Sequence, residues 1–110
     1  MLSEEVRFKL FRLLEANPRA SQRELARELD ISLGKVNYCL QALVERGWVK
    51  ASNFKNSKSK TAYMYLLTPR GVQEKAAVTS SFLKRKMQEH DTLKEEIEAI
   101  RKQTELDAHR

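Results

Sequence analysis

A single cysteine, Cys39, stands in 110 residues. That excludes an intramolecular disulfide framework and any zinc site built from several cysteines, and it suits a reducing compartment. No apolar run approaches the ~20 residues needed to span a bilayer. The opening segment, MLSEEVRFKLFRLLE, carries acids by its fourth residue and charges throughout, unlike a secretory signal. A cytoplasmic protein without membrane association is the expectation. Catalytic equipment is equally scarce. The two histidines both lie in the C-terminal forty residues, the cysteine sits among apolar neighbours, and no glycine-rich loop occurs. These supply no nucleophile–base pair, metal set or phosphate cradle, so neither an enzyme nor a bound cofactor is expected.

Acidic residues are missing from one segment in particular. Residues 1–50 carry nine Lys/Arg against seven Asp/Glu, and residues 71–110 balance at eight and eight. Residues 51–70 carry four basic residues and no acid, so much of the net charge of +6 gathers there. A local surplus of this kind fits a phosphate-binding patch better than a diffuse basic bias, although a merely soluble basic surface is the plainer alternative.

Against these absences, the stretch from Ser21 to Gly47 is dense with signals. Ser21 and Glu24 form a capping box, and Leu25, Ala26 and Leu29 then share a helical face. After Asp30-Ile31, Ser32 caps a second helix whose apolar stripe is Val36, Cys39, Leu40, Leu43 and Val44. Gly47 suits the left-handed position beyond its end. Two capped helices with so little chain between them must cross steeply, which predicts a helix-turn-helix. Ahead of them, Ser3 caps a first helix with Glu4 and Glu5 in its opening turn, closed by Asn17-Pro18. Arg19-Ala20 is a short extended link or a minimal strand.

Trp48 to Ala51 predicts a short strand, SNFKNSKSKT a polar turn, and Ala62 to Leu67 an aromatic-rich partner strand. The expected fold is mainly α with α+β elements: a winged helix-turn-helix of three helices plus a β-hairpin wing over residues 1–70. Thr68 and Pro69 are the cap and first-turn residues of a final helix over residues 71–110, roughly 50 Å long at 1.5 Å per residue. Leu83, Met87, His90, Leu93, Ile97, Ile100 and Thr104 recur along it every three or four residues. Such a stripe predicts dimerisation with a second copy, the alternative being a helix folded back on its own domain.

The segment LARELDISLGKVNYCLQALVERGWV, followed by a basic hairpin and LLTPRG, resembles the winged domain of MarR-family bacterial transcriptional regulators. Leu67-Thr68 and Gly71 match the L-T-x-x-G that closes the wing there. The whole chain is most similar to a small MarR-like subgroup associated with exopolysaccharide gene clusters, through LSEEVRFKLFRLLE, ISLGKVNYCL, NFKNSKSK and FLKRKM. The resemblance departs from the wider family in two ways. Typical members carry an additional N-terminal dimerisation helix, and a wing with an Asp and two Arg; here the wing has lysines and no acid. Small-molecule sensing is therefore not carried over, and any effector stays unknown.

The expected DNA-reading residues follow from the motif. Ser32, Leu33, Gly34 and Lys35 occupy the helix turn that enters the major groove, with Asn37, Tyr38 and Gln41 one turn along the same face. Asn and Gln pair with adenine, Lys with guanine or phosphate. Lys55, Lys58 and Lys60, with Asn56 and Ser57 at the tip, give the wing its phosphate or minor-groove contacts. Arg19, Gln22 and Arg23 are candidate backbone clamps. Lys84, Arg85 and Lys86 read as a solvated helix face, and Trp48, Tyr63 and Tyr65 as hairpin core. Cys39 reads as a packed thiol and His90 as a tolerated interface residue. The function expected is a homodimer binding double-stranded DNA at a pseudo-palindromic operator. The alternative is a winged-helix protein-interaction adaptor dimerised by its coiled-coil tail.

Overall fold

The computed structural model describes residues 2–55 and 61–110. The elements are α1 (Glu4–Ala16), α2 (Gln22–Leu29), α3 (Leu33–Glu45), β1 (Val49–Lys55), β2 (Thr61–Leu67) and α4 (Pro69–Ala108). Their contacts divide the chain into two units, Met1–Thr79 and Ser80–Arg110.

The first unit is a winged helix, three helices and a hairpin around one core. Each of its first three helices starts on a serine whose hydroxyl accepts a backbone N–H from three residues on: Ser3 from Val6, Ser21 from Glu24 and Ser32 from Lys35. These bonds satisfy amides that a helix start otherwise leaves unpaired. The turn between α2 and α3 is made by Asp30, whose φ of 55° is left-handed. Asp tolerates that region because its short side chain can bond locally. Ile31 then returns its N–H to Ala26 and packs against the core, so the turn is closed by both a hydrogen bond and an apolar contact.

The core takes Leu10, Phe11 and Leu14 from α1, Leu25 from α2, and Val36, Cys39, Leu40 and Leu43 from α3. Val49 and Tyr65 close it from the hairpin and Val78 from the first part of α4. Phe11 is fully buried and tilted against Trp48, and burying one such ring contributes about 2–3 kcal/mol. Val44, placed on the apolar stripe by its spacing, is instead exposed at the edge of α3.

The hairpin is antiparallel, with Val49 opposite Leu67, Ala51 opposite Tyr65 and Asn53 opposite Tyr63. It is longer than the sequence predicts. Ser52, Asn53 and Phe54, read as part of a polar turn, are strand residues, because cross-strand pairing with Tyr63 and Ala62 outweighs the low strand preference of Ser and Asn. Arg19-Ala20 forms no strand among the described residues. The neighbouring Pro18 carbonyl nevertheless accepts the Tyr65 amide at 3.0 Å, capping the outer edge of β2.

A small joint locks the base of the wing. The Thr68 amide donates to the Trp48 carbonyl, the Thr68 hydroxyl donates to the Gly47 carbonyl, and that hydroxyl accepts the Gly71 amide. Gly47 sits at φ +73°, the left-handed cap expected of it. Gly71 is needed for a different reason: a Cβ there would stand 1.9 Å from the Trp48 carbonyl oxygen. Two guanidiniums lie over the Trp48 ring, Arg7 at 5.8 Å and Arg46 at 5.1 Å from its centre, and Arg7 also pairs with Glu74 at 3.0 Å.

The second unit, Ser80–Arg110, continues α4, which stays helical through Thr79-Ser80-Ser81. Its apolar residues Leu83, Met87, Leu93, Ile97 and Ile100 are all exposed. No described helix is long and apolar enough to cross a membrane.

Candidate nucleic-acid interface

The outward face of α3 is built from its N-terminal turn. With Ser32 bonded to the Lys35 amide, Leu33, Gly34 and Lys35 form an exposed first turn, and Asn37, Tyr38 and Gln41 follow on the exposed side. Tyr38 is 55% exposed, and no carboxylate occurs on α3 before Glu45. Among the described residues, nothing lies within 4 Å of where a Gly34 Cβ would stand, so the glycine leaves open surface at the helix start.

This face does not stand alone. Asn37, Gln41, Val44 and Glu45 form one wall of an open groove of about 400 Å³, and Ala51, Tyr63 and Tyr65 of the hairpin form the other. Gln22 spans the floor. Its amide nitrogen donates to the Tyr65 hydroxyl at 3.2 Å, and its amide oxygen accepts Asn37 Nδ2 at 3.4 Å. The chain Asn37–Gln22–Tyr65 therefore ties α3, α2 and β2 together on the groove side. It holds the Asn37 carboxamide through one N–H and leaves its oxygen and second N–H for a partner, the pair of groups that adenine requires.

Gln22, a candidate backbone clamp by sequence, is thus placed as the support of Asn37. Arg23 is exposed on α2. Arg19 is exposed, with its guanidinium 4.9 Å from the centre of the Phe54 ring, which brings the start of α2 to the wing strand. Lys55 ends β1 opposite Thr61. Asn56, Ser57, Lys58 and Lys60 lie outside the described residues. Leu83, Met87, His90, Leu93, Ile97 and Ile100 are gathered on the second unit, all exposed.

Tyr63 is where the sequence reading goes astray. It shares a strand face with Tyr65, two residues on, and both read as core. Tyr65 is buried, but Tyr63 is 58% exposed, because the hairpin outruns the helices that cover its base. Its exposed ring faces the same groove as Asn37 and Gln41. The available signal was its distance from Thr68, where the wing joins the domain.

Cys39 is fully buried on the inner side of α3. Burial pushes its thiol above the ordinary value, and the weaker pull of Lys35 in the opposite direction does not reverse this. A redox-responsive cysteine needs an accessible thiolate, which this position denies. Under native conditions at neutral pH, Cys39 is expected to resist a disulfide reagent over hours and to react stoichiometrically in denaturant; complete labelling within minutes in the folded state would contradict the packing.

A family model described as winged helix-turn-helix DNA-binding matches residues 3–50. A sequence search of curated proteins returns no match. Among solved structures, the chain is similar to a MarR family transcription regulator, with TM-score 0.58 and 20% identity over 72% of this chain and 51% of that one. It is also similar to Staphylococcus aureus MarR, solved with salicylate and kanamycin, with TM-score 0.55 and 18% identity over 74% and 53% of the two chains. A transcriptional regulator homologue from Pyrococcus horikoshii OT3 gives TM-score 0.56 and 22% identity over 74% and 79%. The chain spans about half the length of the first two. At these identities the likeness is one of fold.

Proposed function

We propose that this winged helix is a sequence-specific reader of double-stranded DNA that acts as a homodimeric transcriptional regulator of the MarR type. The observation that carries the reading is the exposed, carboxylate-free face of α3 from Leu33 to Gln41, set across a groove from the wing. The first turn of α3 enters the major groove. Asn37 and Gln41 read base edges, Lys35 meets guanine or phosphate, and Tyr38 packs against the groove wall. Tyr63 adds an aromatic contact from the wing side. Lys55, Lys58 and Lys60 hold flanking phosphates, with Arg19 and Arg23 beside them, so these residues position the protein while α3 specifies sequence.

Residues 1–70 supply the reading head and 71–110 the helix through which two copies join. The corresponding operator is a pseudo-palindrome with half-sites about one helical turn, roughly 10 bp, or a multiple apart. The resemblance of LSEEVRFKLFRLLE, ISLGKVNYCL, NFKNSKSK and FLKRKM to the exopolysaccharide-associated MarR-like subgroup supports genes of that kind as targets. The protein-interaction adaptor is the rival reading, and the acid-free segment 51–70 favours nucleic acid over it.

Selection of bound sequences from random duplex would supply the operator, and titrations on it would test the roles. Asn37→Ala is expected to flatten preference at one position of each half-site, at a cost of about 1–3 kcal/mol per lost bidentate contact. Lys58→Ala is expected to weaken all sequences alike. If neither change altered affinity or preference, the assignment of α3 and the wing to DNA would be wrong.

A further inference from the structure

The exposed stripe of the second unit has a finer order than its apolar residues alone convey. Placing Leu83, His90, Ile97 and Thr104 at heptad position a puts Lys86, Leu93 and Ile100 at d, with Met87 beside them at e. The positions flanking that seam then carry one sign each. Position g holds Glu89 and Glu96, and position e holds Lys94 and Arg101. Among the described residues, Lys94, Glu96 and Arg101 make no ion pair within the chain, whereas Glu89 meets Lys86 at 3.1 Å. Three of the four flanking charges are thus unengaged along a helix whose apolar residues are open to solvent.

Chain direction decides what those charges would meet. In a parallel two-stranded coil, position g faces e of the next heptad on the other strand. Glu89 then faces the partner's Lys94, and Glu96 faces the partner's Arg101, on both seams. In an antiparallel coil, g faces g and e faces e, which sets carboxylate against carboxylate and cation against cation. In the core, Ile97 at a with Leu93 at d favours two parallel strands, whereas Leu83 at a and Ile100 at d carry no such preference, so the flanking charges decide the direction. His90 at a adds a polar layer that favours one register, because an offset of one heptad would bury it against Ile97.

We propose that residues 83–104 of two copies form a parallel, in-register, two-stranded coiled coil closed by Glu89–Lys94 and Glu96–Arg101 pairs between chains. The proposal rests on the homodimer reading above and goes beyond it by setting strand direction and register. It puts residue 80 of both chains at the same end of the coil, whereas antiparallel pairing would separate them by roughly 30–45 Å at 1.5 Å per residue.

A charge-swap variant of the full chain, Glu89→Lys, Glu96→Lys, Lys94→Glu and Arg101→Glu, tests it. The variant keeps every pair with itself in either direction, and all four sites are exposed on the helix, so folding is spared. Differently tagged wild-type and swapped chains would be denatured together, refolded at low salt and counted by native mass spectrometry. Parallel pairing makes every contact of the mixed dimer repulsive, so mixed dimers are expected at least about tenfold below their statistical share. Enrichment of mixed dimers would show antiparallel strands, and statistical mixing would show that these charges do not meet; both overturn the proposal and leave the homodimer standing. Monomers for both proteins would overturn the homodimer reading itself. As a second readout, Thr104→Cys is expected to cross-link to itself under mild oxidation, with buried Cys39 unreactive; no cross-link in a confirmed dimer would reject the in-register arrangement.

Discussion

Replacing Gly71 by alanine is expected to destabilise the winged unit by at least about 3 kcal/mol, the upper end of what overpacking a well-filled site costs. Alanine is ordinarily the better helix former by about 1 kcal/mol, so propensity alone predicts the opposite sign. Geometry wins because the added methyl would stand 1.9 Å from the Trp48 carbonyl oxygen, with the carbonyl carbon at 2.9 Å. Neither is the far end of a flexible side chain. Relief requires moving α4 or the start of β1, and both are pinned by Thr68, which donates to the carbonyls of Gly47 and Trp48 and accepts the Gly71 amide. For a unit of this size the melting temperature should fall by more than about 10 °C. A thermal melt following Trp48 fluorescence would check it, and a shift of a degree or two would mean that the joint has room to yield. Gly34→Ala is the internal control, since none of the described residues lies within 4 Å of its Cβ position. That change should stabilise α3 slightly while leaving the joint untouched.

The second large effect concerns DNA. If Lys55, Lys58 and Lys60 of each copy neutralise phosphates, six cations displace counterions, and the logarithm of the association constant should fall against that of salt with a slope of about −5. Raising salt from about 50 to about 200 mM should then cost about a thousandfold in affinity. Removing Lys58 from both copies should flatten the slope by about 2. Fluorescence anisotropy on a short duplex would measure both. Affinity unchanged by salt, or no binding to any duplex at low salt, would instead favour the protein-interaction adaptor.

Much of the first unit is legible in the sequence because local chemistry and tertiary structure agree there. Ser3, Ser21 and Ser32 announce three helix starts, and the apolar spacing of α3 names Val36, Cys39, Leu40 and Leu43 as core before any packing is known. What the sequence does not reveal is how far each covering element extends. Tyr63 and Tyr65 have the same chemistry and the same strand parity, and only the reach of the helical layer makes one core and the other surface. Val44 misleads in the same way, lying on the right stripe but at its uncovered edge. The sequence favours a shorter first strand because Ser52 and Asn53 have poor strand preference, while pairing with a partner ten or more residues away decides their conformation. The role of Gln22 was hidden for a related reason. Its two hydrogen-bond partners lie 15 and 43 residues away along the chain, and no local pattern records such a meeting.

The bridge of Asn37, Gln22 and Tyr65 constrains the way this chain can evolve. If Asn37 chooses a base, a lineage moving to a different operator cannot simply exchange it, because Gln22 would keep an amide oxygen turned toward a side chain no longer there. Nor can Tyr65 drift to phenylalanine without freeing Gln22 to swing into the groove. The three positions lie on three separate elements and should travel as an inherited set. Related proteins that keep all three would then be expected to share a half-site base, and those that change one should have changed the others with it.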